Sequence, residues 1–218
     1  MPRATPARDA PPATAEAILD AAEELIAAKG FERTTIKDIG RDADANPALI
    51  YYYFGDKAGL YRAVLDRIGN AVRDRAVPAV REARSPEALV RGIIAAQAGM
   101  LSRHPKAAAI LVREMVDSGG LHGSEMIRRL AAELFQPAFE AVEAAQRAGT
   151  IRRDLDPRFC VLSTISQVIY FVIARPAVRA FLDKPAGFPS RADAEAFAEH
   201  AIAFATAALS PPSPGRAA

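Results

Sequence analysis

Apolar positions recur at intervals of three and four through most of the chain and never alternate with polar ones over the length of a strand. This period predicts an all-α protein of about nine helices. The first spans about 14–28, with Ile18, Ala21, Ala22, Leu25 and Ile26 as its buried stripe. Gly30 stops it and Phe31 turns back to the core. Two short helices follow, opened by Thr35 and by Asn46-Pro47. A long fourth helix covers about 56–83, with Leu60, Val64, Ile68 and Val72 at four-residue spacing. Pro78 is expected to kink or end it.

Ser85-Pro86 starts a fifth helix that reaches about 103, and His104-Pro105 breaks it. A sixth helix is expected over 107–116, then a glycine-bearing loop over 118–124 and a seventh helix over 125–148 that Pro137 bends. Asp156-Pro157 opens the eighth, to about 174, and Arg175-Pro176 kinks or restarts it to about 182. A loop at 184–190 leads to a last helix over 191–209. The Pro-rich ends, 1–13 and 210–218, lack any apolar period and are expected to be disordered tails. Arg3 and Arg8 are the basic residues that such an arm could lay in a minor groove.

The stretch 35–57, TIKDIGRDADANPALIYYYFGDK, carries the most chemistry. Ile36 and Ile39 give its first helix one apolar face, and the Thr35 hydroxyl is placed to accept from a free backbone N–H. Asn46 caps the second helix, and Pro47 fills the first helical position, where no N–H is needed. A pair of helices joined this tightly is the geometry that lays one helix in the DNA major groove while the other braces it. Ile50 and Phe54 then face the core. Pro47, Ala48 and Leu49 form the turn nearest the base edges, and their small or apolar side chains suit thymine methyl groups. The three tyrosines that follow also read as amphipathic residues at the edge of a core.

The run 14–65, TAEAILDAAEELIAAKGFERTTIKDIGRDADANPALIYYYFGDKAGLYRAVL, resembles the N-terminal domain of the TetR family of transcriptional regulators. The resemblance rests on Lys29-Gly30-Phe31, Thr34-Thr35, Asp38-Ile39, Tyr51, Tyr53-Phe54, Lys57 and Leu60. Gly40 stands where Ala is common, and Asp44 where the turn usually has Gly. The first change is expected to weaken the helix slightly, and the second to leave the turn able to form.

The resemblance implies a helix-turn-helix domain at 14–60 and a helical effector-binding and dimerisation domain at 61–209. It also implies a homodimer on a palindromic operator and a small-molecule effector that releases the DNA; a shift of the fourth helix, which joins the two domains, is the expected route. Lys37, Tyr51 and Tyr53 match family positions that reach bases or phosphates. The candidate DNA-binding set is Thr35, Lys37, Asn46, Pro47, Ala48, Leu49, Tyr51, Tyr52, Tyr53 and Lys57, with Lys57 aided by the helix N-terminus it occupies.

The eighth and last helices are the expected dimer elements. Val161, Ile165, Val168, Ile169 and Val172 lie on one, and Ala194, Phe197, Ala201, Phe204 and Ala208 on the other. A monomer core would use the same residues. Met100, Arg113, Phe139, Ser163, Gln167 and Tyr170, with Glu114 and Phe135, are candidates for an effector pocket as well as for plain structure. An apolar pocket favours a hydrophobic or aromatic molecule.

Composition adjusts this picture only at the margins. The 218 residues carry a net charge of +2, and residues 1–70 hold nine Lys and Arg against eleven Asp and Glu. DNA binding therefore rests on placement, with Lys37, Arg41 and Lys57 gathered near the second short helix. No nucleophile–base arrangement, phosphate loop or metal-ligand spacing points to an enzyme, a cofactor or a metal. His122 and Glu125 are three apart beside the glycine loop. A single cysteine, Cys160, excludes an internal disulfide. It leaves one rival reading, a redox-sensing regulator with Arg158 as the nearby cation. No apolar run reaches the roughly 18–20 residues of a membrane span, and a cytoplasmic location is expected.

Overall fold

A computed structural model describes residues 13–185 and 190–212, without the side chains of Leu101, Ser102 and Val172. Arg3 and Arg8, residues 1–12 and 213–218 of the expected tails and residues 186–189 of the 184–190 loop lie outside the described residues. Every element described is helical. In order they are α1 (Ala13–Lys29), α2 (Ile36–Asp42), α3 (Pro47–Phe54), α4 (Lys57–Glu82), α5 (Pro86–Arg103), α6 (Pro105–Asp117) and α7 (Ser124–Leu130). A π-helical segment (Ala131–Phe135) follows, then α8 (Gln136–Arg147), α9 (Pro157–Ile173), α10 (Arg175–Phe181) and α11 (Arg191–Leu209).

The helix expected over 125–148 is thus divided. Pro137 has no N–H to offer the carbonyl of Glu133, and the backbone widens one turn earlier, with the Gln136 N–H reaching back to the Ala131 carbonyl. Pro78, by contrast, neither ends nor interrupts α4, which continues to Glu82 around it.

The chain divides into two compact units. The first holds the described residues up to Ile68 together with Ala109–Ser124; the second holds Gly69–Ala108 and the described residues from Glu125 on. The expected boundary at residue 60 differs from this division, because the start of α4 belongs to the first unit. Tyr61 stacks on Phe31, with ring centroids 4.6 Å apart, and Arg67 pairs with Asp20 and Glu23 of α1.

In the first unit the buried face of α1 is Ala15, Ile18, Leu19, Ala22 and Ile26. Ala21 and Leu25 are only half-buried, so the stripe is rotated slightly from the expected one. Gly30, at φ 85°, ends the helix and donates to the Ile26 carbonyl. The fully buried Thr34 hydroxyl then donates to the Gly30 carbonyl at 2.8 Å, tying α2 to the end of α1.

The second unit is a bundle whose core joins Leu89, Val90, Ile93 and Ile94 of α5 to Val161 and Val168 of α9 and Ala198, Ala201 and Ile202 of α11. The alanines let α11 approach closely. Phe197 stacks on Phe171 at 4.1 Å and Ala201 is fully buried, so these two face inward, not toward a partner. An outward apolar stripe remains: Phe159, Leu162, Ile169, Tyr170 and Ile173 on α9, with Phe204 on α11. No single helix among those described is long and apolar enough to cross a membrane. The pair α9 and α10 passes the test of length and composition together, but it is bent by 78°.

Candidate nucleic-acid interface

The brace helix is locked at both ends by its own sequence. Thr35 and Asp38 form a reciprocal capping box: the Asp38 N–H donates to the Thr35 hydroxyl at 3.1 Å, and the Thr35 N–H to the Asp38 carboxylate. Lys29 adds a second donor to that carboxylate at 2.7 Å. The Lys29 bond first, and the Thr35 bonds after it, hold the Asp38 carboxyl down at about 2.

A lowered folded-state value means that this contribution is complete above the ordinary carboxylate range and drains away as the pH falls toward 2. Asp38→Asn should therefore melt below the native chain at pH 5, and the gap should close between about pH 4 and pH 2. A gap that stays constant across thermal melts over that range would contradict the assignment.

At the other end, the Ala45 N–H donates to the Gly40 carbonyl at 2.8 Å and the Asp44 N–H to Arg41 at 3.3 Å, with Asp44 at φ 48°. This is a Schellman stop with an aspartate at the left-handed position. A Cβ on Gly40 would lie 2.8 Å from the Ala45 carbonyl, so glycine here permits the close turn as well as loosening the helix. Asp44→Gly removes the left-handed penalty and should stabilise the chain by about 0.5–1 kcal/mol. A lower melting temperature for that variant would show that the aspartate is held by something other than backbone geometry.

Asn46 caps α3 through the Ala48 N–H at 2.9 Å, which makes it a structural cap. Ile50 is completely buried and is the anchor of α3. Around it Thr35, Lys37, Asn46, Pro47, Ala48, Leu49, Tyr51 and Tyr52 are exposed on the same short pair of helices, Tyr52 most of all at 80%. Tyr53 is half-buried, its ring against Tyr52 and Phe54.

Three expectations need correction. Arg41 is engaged with Asp42 at 2.9 Å and with Asp38, so its charge is largely matched. The N-terminus of α4 is capped by Asp56, whose carboxylate accepts from the Gly59 N–H at 2.6 Å and sets a negative charge where a phosphate would approach. Lys57 is half-buried: its Nζ donates to the Glu32 carbonyl at 3.2 Å and sits 4.3 Å over the Phe31 ring. One of its three donors is thus used, and two remain. Neither Asp56 nor the Lys57–Phe31 contact stood out in the sequence, since the latter spans 26 positions with no periodic signal.

The expected effector set is divided between the two units. Arg113 belongs to the first unit, where its guanidinium donates to the Ile26 carbonyl at the end of α1. Glu114, fully buried, also serves that unit. Ser163 and Tyr170 point outward from α9, and the half-buried Gln167 amide donates to the Ser163 carbonyl of its own helix. The buried polar group of α9 is Thr164, bonded to the Cys160 carbonyl at 2.8 Å. Met100 is buried, while Phe135 and Phe139 are half-buried against the second unit's core. Cys160 is buried, and its thiol is pushed up, by burial first and then by Asp156. A protonated, shielded thiol is a poor redox sensor, and Arg158 is occupied by Asp156 at 2.9 Å.

Comparison with known proteins agrees with this geometry. Residues 18–64 match the model of the family described as bacterial regulatory proteins, tetR family. Residues 80–209, more than half of the chain, match that of the C-terminal domain of the HTH-type transcriptional dual regulator CecR. The HTH-type transcriptional repressor NicS of Pseudomonas putida is 29% identical over 171 residues, 78% of this chain and 80% of that one. Among solved structures, FadR from Bacillus subtilis, in complex with stearoyl-CoA, superposes with a TM-score of 0.71 at 16% identity, over 89% of this chain and 98% of FadR. AibR, in complex with isovaleryl coenzyme A and operator DNA, superposes at 0.69 and 18%, over 88% of this chain and 97% of AibR. These two likenesses are of fold.

Proposed function

Because the chain belongs to the tetR family of bacterial regulatory proteins, we propose that it represses transcription as a homodimer on a palindromic operator and leaves the DNA when a small molecule binds. It performs no catalysis in this reading. The observation that carries it is the split of α3, with Ile50 fully buried and Pro47, Ala48, Leu49, Tyr51 and Tyr52 on the open side. A helix anchored by one residue and otherwise free along its N-terminal turn fits a major groove.

The outward stripe of α9 and α11 supplies the second element of the reading. Apolar residues this exposed are costly in a monomer and mark a contact surface. Two copies joined there would present two α3 helices, with half-sites about one helical turn or a multiple apart.

The effector is proposed to enter the second unit near Met100 and Phe139, with Gln167 as the polar candidate left from the expected set. An apolar lining of this kind favours a hydrophobic or aromatic molecule. The acyl-CoA bound to FadR and AibR makes such thioesters a sensible first panel. Movement of α4, whose residues serve both units, is the proposed route to α3. Coupling of this kind is typically worth about 1–3 kcal/mol.

Selection of bound fragments from a random duplex pool tests the reading. Inverted repeats should be recovered, with binding that weakens as salt rises at a slope of about −0.9 for each neutralised phosphate. Failure to enrich any symmetric site at low ionic strength would refute it.

A further inference from the structure

The first unit contains a buried carboxylate that the DNA-binding reading leaves unused. Glu114, near the end of α6, is 0% exposed. Its Oε1 accepts the backbone N–H groups of His122 at 2.7 Å and Gly123 at 2.9 Å, which folds the loop after α6 back over it. Its Oε2 faces His122 Nδ1 at 3.4 Å, and neither atom has a hydrogen-bond partner among the described residues. The Tyr61 phenol lies close enough to Glu114 to feel its charge. Burial first, and the Glu114 charge after it, push that phenol above its ordinary range, which keeps it a donor.

Among the described residues no ion pair joins a Lys or Arg to the carboxylate, and neighbouring Arg113 donates to Ile26. A buried charge held in this way has little freedom to move.

Above it the rings are layered. His122 lies 4.9 Å from Phe31 and 5.3 Å from Tyr61, and Phe31 stacks on Tyr61 with 19° between planes. Lys57 rests over the Phe31 ring. Lys57 and Tyr61, four apart on α4, therefore meet the same aromatic ring from one helix face. The stack runs from a buried carboxylate, through three rings, to Lys57, one of the candidate DNA-binding cations.

We propose that Glu114 is a positioning residue for DNA binding, fixing Tyr61 and His122 so that Phe31 holds the Lys57 ammonium in the pose that meets a backbone phosphate. The inference rests on the DNA-binding reading but goes beyond it, since Glu114 lies far along the chain from the helix-turn-helix and does not touch DNA. Glutamine at 114 keeps the shape and one acceptor oxygen but loses the charge and the second acceptor. Phenylalanine at 61 keeps the ring stack and loses only the hydroxyl.

The test is a mutant cycle read by operator affinity and salt slope, on the full chain and the selected duplex. Glu114→Gln and Tyr61→Phe should each weaken binding about tenfold, the size expected for loss of one well-placed charged contact. Each should also lower the magnitude of the salt slope by about one phosphate's worth. In a Lys57→Ala background neither should weaken binding further. A merely structural role would weaken both backgrounds alike and leave the slope unchanged, and that result overturns the proposal, as would wild-type affinity in both single variants. Should Glu114→Gln fail to fold, Tyr61→Phe decides by the same criteria. If the native chain retards no duplex, the DNA-binding reading itself fails; if it binds and the variants behave as wild type, only the role of Glu114 does.

Discussion

Exchanging Leu162 and Phe204 for glutamate is expected to turn a dimer into a monomer and to lower operator affinity by at least about 100-fold, the usual gain from two linked contacts. Both side chains lie on the outward stripe of α9 and α11, 48% and 60% exposed in the single chain. Neither belongs to the buried core, which is built from residues such as Val161, Val168, Ala201 and Ile202. The folded monomer should therefore tolerate the change, with melting close to that of the native chain at low concentration. At a self-complementary contact, however, each glutamate appears twice, and a desolvated carboxylate without a partner costs several kcal/mol. Sedimentation should show the mass halved, and gel retardation should show weak binding at half-sites. A variant that remains dimeric would place the contact elsewhere on the chain.

The second large effect is expected at Ile50. It is the only residue of α3 that is fully buried, so the eight-residue helix has one anchor. A helix this short has little stability of its own, and its position depends on tertiary contact. Truncation at such a site costs the lost transfer energy plus that of the cavity left behind. Ile50→Ala should destabilise the first unit by about 3 kcal/mol and abolish specific DNA binding. Denaturant titration gives the stability. Hydrogen exchange should place the loosening in residues 47–54 before the second unit responds. A loss below about 1 kcal/mol would mean that α3 is held by its caps rather than by its core contact.

Local chemistry explains why most of the helix boundaries were legible in the sequence. Thr35, Asn46-Pro47, Ser85-Pro86 and Asp156-Pro157 each place a capping side chain where the structure uses it, and Asn46, Ser85 and Asp156 all accept from the first turn. Asp44 adopts the left-handed conformation that the turn requires. The break at Ala131–Phe135 was harder to read, because Pro137 signals a disturbance without saying how the backbone absorbs it.

The effector set is harder to read for a different reason. Ser163, Gln167 and Tyr170 share a helix face, but spacing does not say whether that face points inward. On α9 the inward polar residue is Thr164, one position away. Glu114 and His122 pair across a Gly-Gly turn that no helical or strand period describes. The Lys57–Phe31 contact likewise joins residues from separate elements. Contacts that depend on how loops close leave no periodic trace in the sequence.

The account stands or falls on where α3 lies on DNA. Cys160 is buried, so an iron chelate attached to Leu49→Cys would sit almost entirely at the N-terminal turn of α3. Bound to the selected operator, it should cut in two clusters, one per half-site, centred in major grooves and about 34–36 Å or a multiple of that distance apart. Cuts confined to a minor groove, or none at all while the operator remains protected, would contradict the assignment of α3 as the reading helix.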